Sequence, residues 1–204
     1  MKKPNNYANT TTESKKLPAG GYICKIVACK ETESKAGKPM LKIALEILEG
    51  EHRGFFAELW RDRKMAAFPN EAKYPNEGTA YILTEDYEGN CSKSFKGFCT
   101  ALEDSGNIVW NAQDELADLT GAVVGVLFRR EENEYEGRTF WQTKPFSFRS
   151  VDRIRKGDYT VPEDKPLTQS AQPGSSYQQG SYQNSYQGAY QGSPYESVKE
   201  DIPF

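Results

Sequence analysis

A chain of 204 residues has room for one domain of ordinary size and a tail. Its 26 Lys and Arg stand against 29 Asp and Glu, and five of those acids but only Lys165 and Lys199 lie in residues 159–204, which leaves 24 of each sign in residues 1–158. A neutral domain with a negative tail excludes a surface that binds polyanions everywhere, so any nucleic-acid site has to be a local basic patch.

The N-terminal residues are polar from Lys2 to Lys16 and hold no apolar stretch of the kind a signal peptide needs, while the longest apolar run, Ala122–Phe128, is far too short for a bilayer. A cytosolic protein without a membrane partner is expected. Cys24, Cys29, Cys91 and Cys99 lack the close pairs of a zinc knuckle, and His52, the one histidine, falls in a turn-like stretch, Gly50–Gly54. No cofactor or metal is expected. Glu85-Asp86 and Glu131-Glu132 fall in loop-like charged stretches without a third carboxylate at helpful spacing, and a phosphate-binding glycine loop and a nucleophile elbow are missing, which argues against an enzyme.

In chain order, residues 1–18 read as a patternless arm. Tyr22–Cys29 alternates as a strand, and Met40–Leu48 places Leu41, Ile43, Leu45 and Ile47 on one face with Lys42 and Glu46 on the other. Lys35–Pro39 joins them as a hairpin loop. After a turn at Gly50–Gly54, Phe55–Trp60 reads as a third strand with Phe55, Ala57 and Leu59 inward and Phe56 and Trp60 outward, and Arg61–Phe68 as a short helix. A short strand is expected at Ala80–Thr84. Phe95, Phe98, Cys99 and Leu102 have the spacing of one buried helix face, with Ser92 or Ser94 as N-cap and Gly106 past the end. A second helical stretch is expected over Ala112–Leu119, capped by Asn111. Val123–Arg130 and Arg138–Arg149 read as two long strands joined by a loop, Glu131–Gly137.

Three strands, a helical insert and two strands give β-β-β-α-β-β, the order expected of a mainly β, five-stranded Greek-key barrel of the oligonucleotide-binding (OB) fold. Residues 19–158 form that domain. Beyond it, 22 of the 27 residues from Gln169 to Tyr195 are Gln, Ser, Tyr or Gly, so residues 159–195 are expected to be a disordered linker. Residues 196–204 close the sequence with an acidic, apolar tip. Its ending, Asp201-Ile202-Pro203-Phe204, resembles the acidic tip of bacterial single-stranded DNA-binding proteins. That resemblance implies docking of replication, recombination or repair proteins, because a ring beside carboxylates suits an apolar pocket rimmed by Arg or Lys.

Pro18-Ala19-Gly20-Gly21-Tyr22 and Lys144-Pro145-Phe146-Ser147-Phe148-Arg149-Ser150-Val151 resemble a family of phage- and mobile-element-encoded proteins that bind single-stranded DNA. The resemblance implies such a protein in the cytosol of a bacterial host, associated with the nucleoid. Binding a single strand without reading its sequence needs aromatic faces for bases and cations for phosphates in one groove. The residues expected to supply them are Phe56, Trp60, Arg61, Arg63 and Lys64; Arg129, Arg130, Arg138, Trp141, Lys144 and Arg149; and Lys35, Lys38 and Lys42 around the first hairpin. Phe140, Phe146 and Phe148 share a parity that suits the core. A homo-oligomer is compatible with this reading. An adaptor whose barrel binds protein, and an RNA-binding module, remain as alternatives.

Overall fold

The computed structural model describes residues 2–3, 5, 7–9, 15–66 and 73–167. Its five strands are β1 (Gly20–Glu33), β2 (Pro39–Ile47), β3 (Thr79–Leu83), β4 (Val123–Tyr135) and β5 (Arg138–Arg149). They form one antiparallel open sheet in the order β3-β2-β1-β4-β5. The helices are α1 (Phe55–Ala66), between β2 and β3, α2 (Lys93–Glu103), between β3 and β4, and α3 (Val151–Arg155), after β5. The two edge strands, β3 and β5, pass beside each other without hydrogen-bonded pairing. No helix among the described residues is long and apolar enough to cross a membrane.

The alternation in β2 is as expected, with Leu41, Ile43, Leu45 and Ile47 buried. They meet Ile26, Val124, Val126 and Phe128 from the neighbouring strands, with Phe98 of α2 closing over them. Each such side chain contributes about 1.5–3 kcal/mol by leaving water. Ser92 caps α2, its hydroxyl accepting from the Phe95 N–H, and Phe98, Cys99 and Leu102 are buried along the expected face. A smaller cluster lies on the opposite face of β1 and β4, where Ile23 and Leu127 meet Val151 and Ile154 of α3.

Phe55–Trp60 is helix, not strand. Phe55, Phe56, Leu59 and Trp60 recur at the i, i+1, i+4, i+5 spacing of a helix face, a pattern that competes with period-two alternation in so short a run. Glu46 decides between them: its carboxylate, on β2, accepts from the Phe56 N–H at 3.0 Å and from the Ala57 N–H, capping the first turn. Burial raises the Glu46 carboxyl above its ordinary range, against the pull of these donors. The meander is therefore β1, β2 and β3, with α1 between its second and third strands.

Ala112–Leu119 is not a helix. The Asn111 side chain accepts from the N–H groups of both Gln113 and Glu115, and Asp114 sits at φ 60°, so the segment turns back and pairs Leu116 with Trp110. The expected loop at Glu131–Gly137 is also displaced. β4 continues to Tyr135, and Glu136 and Gly137, both at positive φ (51° and 74°), make the two-residue turn whose twist suits a hairpin.

Contacts also reach beyond 19–158. Leu17 is buried and its carbonyl accepts from the Thr143 hydroxyl, while Lys165 pairs in parallel with Glu131 on the β4 edge that β1 leaves free.

Candidate nucleic-acid interface

β4 and β5 run past the end of β1, which stops pairing at Gly20↔Phe128, and project as a two-stranded arm. Residues directly opposite in such a pair share a face, and successive residues alternate between faces. Arg129↔Lys144, Glu131↔Gln142, Asn133↔Phe140 and Tyr135↔Arg138 therefore lie on one face. Arg130↔Thr143, Glu132↔Trp141 and Glu134↔Thr139 lie on the other. The register sorts a charge-balanced sequence into two unlike surfaces.

The first face carries Arg129, Arg138 and Lys144 against the single acid Glu131. Tyr135, Phe140 and Phe146 are exposed by 49%, 41% and 49%, and the Arg129 guanidinium lies over the Phe146 ring at 4.1 Å. Arg129 also pairs with Glu131 at 2.5 Å, and the Lys144 ammonium donates to the Asn133 carboxamide at 3.2 Å. The second face has Arg130 over the Trp141 ring at 4.9 Å, but Arg130 is paired with Asp164 at 3.4 Å and Glu132 and Glu134 stand beside it. Trp141 is exposed, on the acidic side of the arm.

Phe140 and Phe146 are not core residues. Ser147 pairs with Leu127 and Pro145 with Phe128, so Phe146 is the extra residue of a β-bulge. A bulge resets the alternation. Phe148 alone of the three turns inward, 4.8 Å from Phe98. Arg149 pairs opposite Gly125, at the end of β5 remote from the arm.

The expected α1 residues divide. Phe56 is fully buried, stacked on Phe128, and cannot meet a base. Trp60 is half-buried beside Tyr74, and the Lys64 ammonium covers its ring at 3.4 Å. Arg61 is exposed. Arg63 pairs with Glu77 at 2.6 Å, and the Gln142 side chain, on the basic face of the arm, approaches the same carboxylate. Burial alone would raise Glu77; Arg63, with help from the backbone and Gln142, outweighs it and holds the carboxyl below its ordinary range. Of the basic run near the C-terminal end of α1, Arg63 is the member tied to the arm.

Lys35 and Lys38 are not gathered with the arm. Their hairpin leaves β1 at Glu33, the end opposite to Gly20, and the Lys38 ammonium donates to the Asp86 carbonyl. Lys42 stands in a row across three strands, opposite Lys30 on β1 and opposite Tyr81 on β3. Tyr81 is 53% exposed. It was legible in the alternation of Ala80–Thr84, where it falls between the two buried residues Ala80 and Ile82. Tyr135 lay hidden in an assumed loop, Phe140 and Phe146 in an assumed core. Asp201, Ile202, Pro203 and Phe204, expected to dock a partner, lie outside the described residues.

The cysteines are free thiols; burial pushes Cys29 and Cys99 up to about 11, and Cys24 higher still, so none of these three is a nucleophile at neutral pH. Among the described residues no group of His, Cys, Asp or Glu is placed to hold a metal ion.

No curated relative matches the chain. Residues 5–153, most of its length and all of the sheet but none of the tail, match a family described as protein of unknown function (DUF669). The chain belongs to the DUF669 family.

Proposed function

We propose that this protein binds single-stranded DNA without sequence preference and serves replication, recombination or repair in a bacterial host. The observation that carries the reading is the basic face of the arm, where three exposed rings, Tyr135, Phe140 and Phe146, alternate with Arg129, Arg138 and Lys144. Rings at this spacing accept unstacked bases of any kind, and the cations accept the phosphates between them. A duplex keeps its bases stacked inside and offers such rings nothing.

A barrel of the OB type would lengthen this face into a groove. Closing the sheet by laying β3 beside β5 gives two strands running in the same direction, because every pairing between them in the order is antiparallel. Glu77, just before β3, then stands by Gln142 of β5, and Tyr81 and Phe146 each lie four residues further along. Tyr81, Lys42 and Lys30 continue the row of rings and cations around the barrel. In OB folds the face of the second and third strands is where oligonucleotides bind.

Fluorescence anisotropy with a labelled dT oligomer, the same sequence as duplex, and an rU oligomer tests the reading. Tighter binding to dT than to duplex is expected. Equal binding to duplex, or none to either, overturns it, and preference for rU would reassign the ligand to RNA.

A further inference from the structure

The three cations on the basic face of the arm are not equivalent. Arg138 is exposed beside the turn, and the Lys144 ammonium donates to a neutral group, the Asn133 carboxamide. The Arg129 side chain is only 20% exposed, and its guanidinium pairs with the Glu131 carboxylate at 2.5 Å. Its Nε is buried without a hydrogen-bond partner among the described residues, out of reach of a phosphate. A cation already neutralised and mostly covered has little left to offer a strand.

Phe146 needs what Arg129 gives. As the extra residue of the bulge the ring has no cross-strand neighbour, since Pro145 and Ser147 take the pairings on either side of it. A ring left exposed in that way samples several rotamers, and a base that stacks on it must stop that motion at an entropic cost. The Arg129 guanidinium lies over the ring at 4.1 Å, within the range of a stacked cation–π pair, and stands in for the missing neighbour. Phe146, at 49%, is the exposed member of the pair and Arg129 the covered one, so the ring keeps its other face toward solvent. Glu131, an acid in the middle of a basic face, then has a reason to be there: it anchors the guanidinium and cancels its charge.

We propose that Arg129 is a positioning residue for the Phe146 ring, anchored by Glu131, and that a base stacks on the free face of the ring while Arg138 and Lys144 take the phosphates. The proposal rests on the single-strand reading and narrows it, since one of the three cations acts through a ring and not through charge. A ring held ready for a base is of no use to a duplex. Arg129 therefore contributes to the preference for single strands and not to affinity for phosphate in general.

Two charge-conserving changes test this, read by fluorescence anisotropy with a labelled dT oligomer over a range of salt. Arg129→Lys keeps the charge and loses the plane; Arg129→Gln with Glu131→Gln removes both charges and orphans neither. Each should weaken dT binding about three- to tenfold with the salt slope unchanged. In a Phe146→Ala background neither should cost anything further. Arg129→Lys that binds dT as tightly as wild type, or a slope shallower by roughly 0.7 in the double variant, would mark a charge that meets phosphate and overturns the proposal. The same loss with and without Phe146 would mark a residue that supports only the fold, and overturns it too. Thermal melts accompany the titrations, and Arg129→Lys, the milder change, decides the matter if the double variant does not fold. Either overturning result beside wild-type binding of dT leaves the single-strand reading standing; wild type that does not bind dT removes that reading and the proposal with it.

Discussion

Arg129 and Arg130 are neighbours in the chain yet serve opposite faces of the arm, the first over Phe146 at 4.1 Å and the second over Trp141 at 4.9 Å. The consequence for binding is sharp. Phe140→Ala and Phe146→Ala should each weaken dT binding by about 1–3 kcal/mol, the value of one stacked base. Trp141→Ala, on the acidic face, should cost less than either. Anisotropy titrations on the three variants check this; a Trp141 effect larger than both would place the strand on the wrong side of the arm.

Electrostatics gives the second expectation. If three to five of Arg129, Arg138, Lys144, Lys42 and Lys30 each neutralise a phosphate, the plot of log K against log salt should slope by about −2 to −4. Arg138→Gln should make the slope shallower by roughly 0.7, the share of one phosphate on a single strand. A binding constant indifferent to salt would remove the cations from the mechanism.

The residues that went unread in the sequence did so for definite reasons. Hydrophobic alternation exposed β2 and the helical spacing exposed α2, because each has one face in the core and nothing interrupts its period. α1 hid because two adjacent phenylalanines satisfy both periods, and the cap that selects the helix is a side chain nine residues upstream of Phe55. The two faces of the arm hid because Glu136-Gly137 is a tight turn without the usual Asn, and because the extra residue at Phe146 inverts the parity of everything before it. Net charge could never have shown a basic face whose acids lie directly behind it.

Glu77 links α1 to the arm, and its titration should be visible in stability. Its carboxyl is held below the ordinary range in the folded protein, so the stabilisation is present above that range and is lost as pH falls through the lowered value. Glu77→Gln should lower Tm at pH 7, and the gap to wild type should narrow as pH falls below about 4.5, the ordinary carboxyl value. Thermal melts from pH 7 to pH 3 measure it. A gap that stays constant would mean that Arg63 gains nothing from the charge.

Gly125 is fixed by packing, not by its backbone angles. A Cβ there would collide with the Ile154 side chain and stand 2.8 Å from the Arg149 carbonyl. Gly125→Ala should destabilise by about 1–3 kcal/mol, as overpacking does. Adding Ile154→Ala should recover only part of this, because the carbonyl cannot yield. Chemical denaturation of the single and double variants decides it.

The last expectation separates the two ends of the molecule. Lys165 is pinned to the β4 edge beside Glu131, and the Leu167 N–H donates to the Glu132 carboxylate, so the described residues reach the arm before the sequence continues to the acids Glu200 and Asp201. Deleting residues 201–204 should abolish capture of replication or repair proteins while DNA binding survives. Binding should even tighten slightly at low salt, since a tethered anion that competes with phosphate has gone, and the gain should vanish near physiological salt as screening sets in. Phe204→Ala separates the two effects: it removes the ring that an apolar pocket would hold and keeps every charge, so partner capture should fall and DNA affinity should not change. Equal pull-down of the same partners by wild type, Phe204→Ala and the truncation would show that the ending docks nothing.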